Sequence, residues 1–162
     1  MTELRVGYQP ESDFDGLLQA EVRSHAFCGH GGIWVAPQYV RETFIAALRA
    51  VPIVADKPPL LEGGYWCKDK KGALEQCHLR IVVRPYNARG KLLVRVEFAT
   101  EFLTTPDDDL QQAATIRFVT DYAPLAQFAD GLDDALEGNG HVAALCGSAE
   151  YGGAPPVRRS GL

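Results

Sequence analysis

Four histidines and four cysteines are the side chains of this sequence that most invite chemistry. Cys28 with His30, and Cys77 with His78, would be the natural metal pairs. Neighbours on an extended chain point to opposite faces, however, and the sequence contains neither a C-x-x-C nor an H-x-x-x-H pair, so no metal site is expected. The run Asp107-Asp108-Asp109 lacks the alternating oxygen ligands and closing Glu of a calcium loop and reads as a solvated turn. Gly29-His30-Gly31-Gly32 is similar to the oxyanion loop of some esterases, but no G-x-S-x-G elbow accompanies it, and a tight turn between strands accounts for it better. There is no phosphate-cradling P-loop and no G-x-G-x-x-G. Trp34, Tyr39, Tyr65 and Trp66 could line a ligand cavity, although aromatic residues at sheet edges usually belong to the core. With no nucleophile beside a base and no carboxylate pair, the chain is expected to be non-enzymatic and to use no cofactor.

The strongest local signal is the stretch from Gln76 to Phe102. Cys77, Leu79, Ile81 and Val83 alternate with Gln76, His78, Arg80 and Arg84, then Tyr86-Asn87-Ala88-Arg89-Gly90 supplies a turn. Alternation resumes with Leu92, Val94, Val96 and Phe98. This predicts a long β-hairpin that buries one face, and therefore an antiparallel sheet that other elements must cover. Before it, Leu4–Tyr8 reads as a first strand, and Leu18 to Cys28 as a second that Gly29–Gly32 breaks. Extended chain resumes at Ile33-Trp34-Val35. Val40, Phe44, Leu48 and Val51 recur at helical spacing over residues 37–51, between Pro37 at the start and Pro52 at the end. Leu60–Cys67 is a glycine-interrupted strand, and Ala114 to Asp121 a further one. A second helix starts near Pro124 on Leu125, Phe128, Ala129, Leu132 and Leu136, and Gly138-Asn139-Gly140 ends it. His141–Cys146 reads as a last edge strand. No stretch of sequence repeats. The expectation is one α+β domain over residues 1–146, a six- to seven-stranded, mainly antiparallel sheet with two covering helices, followed by a disordered Gly- and Pro-rich tail at 147–162.

A length of 162 residues, with 46% hydrophobic and 23% charged residues, suits one soluble domain with a core of its own. No apolar run approaches the length of a membrane span, and MTELRVGYQPESDFDG has no secretory pattern, so a cytoplasmic protein is expected, without a membrane partner. In that compartment Cys28, Cys67, Cys77 and Cys146 are expected as thiols, with a Cys67–Cys77 bridge across neighbouring strands left open.

Charge is unevenly spread. Residues 1–95 hold 13 Lys or Arg against 10 Asp or Glu, whereas residues 96–157 hold one, Arg117, against 11 acids. The second helix carries Asp130, Asp133, Asp134 and Glu137, with no Lys or Arg in the sequence between Thr120 and Arg158. Acids near a helix C-terminus oppose its dipole, so helix stability does not account for them. A solvated face is one reading. The other is a docking surface for a basic protein, built from these four acids with Asp107, Asp108 and Asp109. Such a field argues against nucleic-acid binding.

The order of elements resembles a known family. A strand running into Gly31-Gly32-Ile33-Trp34-Val35, a helix of the type Val40-x-x-x-Phe44-x-x-x-Leu48, a central hairpin, then Pro124-Leu125-x-x-Phe128-x-x-x-Leu132 and a Gly-x-Val-Ala-Ala-Leu strand look like the WapI-type immunity proteins of bacterial polymorphic toxin systems. The resemblance spans most of residues 4–146 and rests on apolar spacing. It implies a non-enzymatic protein that binds and neutralises a cognate toxin domain. The competing expectation is a small-molecule-binding or enzymatic domain with a cavity between sheet and helices, marked by Trp34, His78 and Arg80.

Overall fold

A computed structural model of the protein describes residues 1–102 and 110–149. The turn at 107–109 and the stretch from 150 onward, expected as tail, lie outside the described residues. Eight strands form, in order β1 (Thr2–Pro10), β2 (Gly16–Arg23), β3 (Cys28–Val35), β4 (Leu60–Trp66), β5 (Leu74–Pro85), β6 (Leu92–Ala99), β7 (Ala113–Thr120) and β8 (Val142–Gly147). A helical segment at 37–49, α1, lies between β3 and β4, and α2 (Tyr122–Ala135) lies between β7 and β8. The fold is therefore α+β, but the one large sheet expected from the sequence is two. Four strands run in the order β3-β2-β1-β8 and four in the order β4-β5-β6-β7, all antiparallel.

The hairpin is where the alternation puts it, in the middle of the second sheet. Ile81 faces Val96 and Val83 faces Val94 across β5 and β6, and all four are buried. Phe44 of α1 joins them in one core, together with Leu4, Val6, Leu18 and Val22 from the first sheet and Leu125, Phe128 and Leu132 from α2. Each sheet thus turns one apolar face inward, and the helices fill what the other sheet does not cover.

The element order repeats although the sequence does not. β1-β2-β3-α1-β4 is followed by β5-β6-β7-α2-β8, and each unit gives its last strand to the other: β4 pairs with β5, and β8 pairs with β1. The two sheets are also stitched edge to edge, because Val119 of β7 and Ser148 exchange both backbone hydrogen bonds, at 2.8 and 2.9 Å. The chain therefore stays within the fold past residue 146, where the tail was expected to begin.

Gly29–Gly32 is not a break. All four residues lie in β3 and keep an unbroken register with β2, and the reversal falls earlier, where the Ser24 N–H donates to Phe27 O. The glycines are there because β3 crosses the second sheet at close range. A Cβ on Gly29 would stand 2.8 Å from Phe98 Cδ2, and one on Gly31 3.1 Å from Phe98 Cδ1. On the other side, a Cβ on Gly63 would stand 2.6 Å from Ile33 Cδ1. Glycine in a strand often marks such an approach of a neighbouring chain.

Two substitutions test this packing by urea denaturation. Ile81→Ala removes a fully buried side chain between Leu61 and Val96 and should cost on the order of 2–5 kcal/mol. Gly29→Ala adds one methyl against a ring that is itself enclosed and should cost about 1–3 kcal/mol by overpacking.

Candidate functional site

Asp130, Asp133 and Glu137 stand on the side of α2 that meets α1. Pro37 starts α1, and its middle turn, Arg41–Ile45, is π-helical, which brings the adjacent Phe44 and Ile45 both into the core. The Thr43 hydroxyl donates to Tyr39 O at 2.6 Å within that turn. Arg41 then reaches α2 with Nε donating to Asp133 Oδ1 at 2.7 Å and Nη2 donating to Glu137 Oε1 at 2.7 Å. Two turns on, Arg49 reaches Asp130 Oδ1 at 2.8 Å and Asp133 Oδ2 at 3.4 Å. The sequence expectation that these acids lack a neighbouring cation is thus incorrect: the arginines come from a helix some 90 residues earlier, and helix packing brings them there. The hydrogen bond from Arg41 holds the Asp133 carboxyl below the usual aspartate range. Arg41 also offsets the unfavourable placement of Asp133 and Glu137 at the C-terminal end of α2.

Pairing does not use up the acidic face. The side chains of Asp130 and Glu137 remain 74% and 68% exposed, and Asp134 is exposed with no ion pair among the described residues. Three carboxylates share two guanidinium groups, and Asp134 adds a fourth negative charge beside them. The proposed companion residues Asp107, Asp108 and Asp109 lie outside the described residues.

A second feature lies where no cavity was expected. A cleft of about 690 Å³ follows β3, lined by every residue from Cys28 to Trp34. Its far wall is the end of the second sheet, strand after strand: Gly64 and Tyr65 of β4, His78 of β5, Phe98 to Glu101 at the end of β6, and Gln112 to Ala114 at the start of β7. Trp34, a core candidate by sequence, is 58% exposed on its rim. Within the wall, the Tyr65 ring meets His78 edge to face at 4.7 Å, and the Tyr65 hydroxyl donates a short hydrogen bond to Glu101 Oε2, which pushes its own pKa up. Gln76 clamps the chain after β6, donating from Nε2 to Phe102 O at 2.7 Å and accepting from Phe102 N–H at 3.2 Å. That fixes Gln76 Oε1 as an acceptor, so His78, at 3.0 Å from it, carries its proton on Nε2. Burial lowers the His78 pKa, with Glu101 opposing the effect.

The cleft lies between strands rather than between sheet and helices, and it gathers only two of the three residues expected to mark a ligand site. Trp34 and His78 line it. Arg80 instead pairs with Glu62 at 2.9 Å and Glu97 at 3.3 Å across the neighbouring strands. The remaining candidates are dispersed. All four cysteines are free thiols, which closes the question of a Cys67–Cys77 bridge, and no group of three metal-ligating side chains occurs among the described residues. No described helix is long and apolar enough to cross a membrane.

Comparison with known proteins finds no matching protein family, no matching curated protein and no matching solved structure.

Two measurements probe this geometry. Because the folded-state pKa of His78 is depressed below the ordinary value of 6.5, the unfolded chain takes up the proton first, and stability falls as pH drops below that value. A His78→Gln variant should show a shallower acid loss in denaturation curves collected between about pH 7 and pH 5. On α2, Asp133→Lys severs contacts with both arginines and should cost on the order of 1 kcal/mol, whereas Asp134→Lys should stay within about 0.5 kcal/mol of the parent.

Proposed function

We propose that this chain is a non-catalytic, cytoplasmic protein-binding module of the immunity type, which neutralises a basic partner such as a toxin domain by docking it on the acidic side of α2. The observation that supports this reading is the excess of carboxylate over guanidinium at the α1–α2 seam, with Asp130, Asp134 and Glu137 turned to water. Arg41 and Arg49 restrict the carboxylates they hold, so less side-chain freedom is lost when a partner arrives. Lys or Arg groups from a basic partner would find acceptors already in place, and long-range attraction would speed the encounter.

The test begins with affinity capture from the native organism and continues with association kinetics of the captured protein. The Asp130→Lys, Asp134→Lys double variant keeps Asp133 and its arginine contacts and should fold like the parent. Its on-rate should fall about tenfold, and the parent's on-rate should decline as salt is raised from about 50 to 500 mM. A captured partner that is acidic, or an on-rate indifferent to both charge and salt, would remove the acidic helix from the interface.

A further inference from the structure

We propose that the free edge of β3 is a second binding site, at which an extended, Lys- or Arg-bearing segment of a protein partner adds as a strand. This rests on the reading of the chain as a protein-binding module, but it uses a surface lined by neither α1 nor α2.

The two sheets leave four edge strands, and they are not equally protected. β7 and β8 are tied to each other through Val119 and Ser148. β4 carries Glu62 and loses regular pairing at Gly63/Gly64 and again at Tyr65/Trp66, the kind of irregularity that blunts an edge. β3 has none of these devices. Its sequence, Cys28-Gly29-His30-Gly31-Gly32-Ile33-Trp34-Val35, contains no Lys, Arg, Asp, Glu or Pro, and its pairing with β2 is regular from end to end. An unguarded edge of this kind offers a row of backbone donors and acceptors to another chain.

The cleft gives that edge the shape of a strand site. Seven consecutive residues line it, Cys28 to Trp34, a run of roughly 23 Å at the usual rise of a strand. Gly31 and Gly32 place no side chain in the way. Trp34 at one end and Tyr65 on the far wall provide apolar surfaces against which alternate side chains of an added strand can pack. Charge selects the occupant: among the described residues lining the cleft, Glu101 is the one carboxylate, and there is no Lys or Arg. A cationic side chain reaching Glu101 would be matched, and an acidic segment would meet no counter-charge.

The test uses a synthetic acetylated, amidated peptide, Val-Lys-Val-Thr-Val-Lys, titrated against the full chain while backbone amide resonances are followed. Shifts confined to Cys28–Trp34 and the Tyr65, His78 and Glu101 wall are expected, with affinity reduced at least about tenfold by N-methylation of one alternating set of peptide amides but not the other. Replacing both lysines with glutamate, or introducing Glu101→Lys or Trp34→Ala, should weaken binding by a similar factor. Trp34 is exposed, so its variant should keep the parent fold. The Asp130→Lys, Asp134→Lys variant should bind the peptide as the parent does, which separates this site from the acidic helix. Absence of binding at millimolar peptide, or binding insensitive to N-methylation, would overturn the proposal. So would light scattering that shows a dimer dissociated by His30→Lys, since the edge would then belong to a second copy of the chain.

Discussion

Phe98 lies on the bare backbone of β3, with Gly29 and Gly31 beneath its ring, and much of the molecule follows from that contact. Two sheets normally stand about 10 Å apart because side chains from both fill the space between them. Here one strand contributes no side chain at two positions, and β3 comes down onto the second sheet until the ring touches it. Ile33 completes the approach from the same strand by occupying the place a Cβ on Gly63 would take. The close contact carries β3 across the end of the second sheet rather than into register with β4. The consequence is a strand packed face-on yet left unpaired along one edge.

The helices are governed by a different balance. Their apolar stripes join both sheets in one core, and once Val40, Phe44, Leu125 and Phe128 are buried there, Arg41 and Arg49 have little choice but to face Asp130, Asp133 and Glu137. Exposed pairs of this type contribute little to stability individually. Their effect is to fix which way the carboxylates point, and to leave Asp134 outside the network.

What could be read from the residues alone divides along physical lines. Alternation fixes which face of a strand is buried, so Leu79, Ile81, Val83, Val94 and Val96 were legible, as were the stripes of both helices. Nothing in alternation says how many sheets the strands make, because that depends on pairings between residues far apart, such as Leu4 with Leu145. Glycine misled for a related reason. Gly29–Gly32 carries the signal of a turn, and only the ring of Phe98, nearly 70 residues on, explains it as strand. The charge pattern was read along the chain, where α2 has no cation, whereas the field around α2 is set by α1. The cleft was not legible, since its two walls meet only when β3 crosses the second sheet, although the absence of any charged residue or proline from Cys28 to Val35 was visible in the sequence.

The exchange of last strands between the two halves has a bearing on how the chain is made. β1 lies in the middle of the first sheet, but its second partner is β8, and Thr2 is matched with Gly147. A ribosome that has delivered β1, β2 and β3 has delivered a three-stranded meander whose second edge can be covered only when almost the whole described chain is out. Until then Leu4 and Val6 lack the strand that flanks them, and α2, which packs on β1 and β8, is missing too. Contacts of such sequence separation slow folding. The β1 edge that β8 seals in the finished protein is therefore open until the end of synthesis, and the nascent meander has two unpaired edges, β1 and β3, of which the native molecule leaves β3.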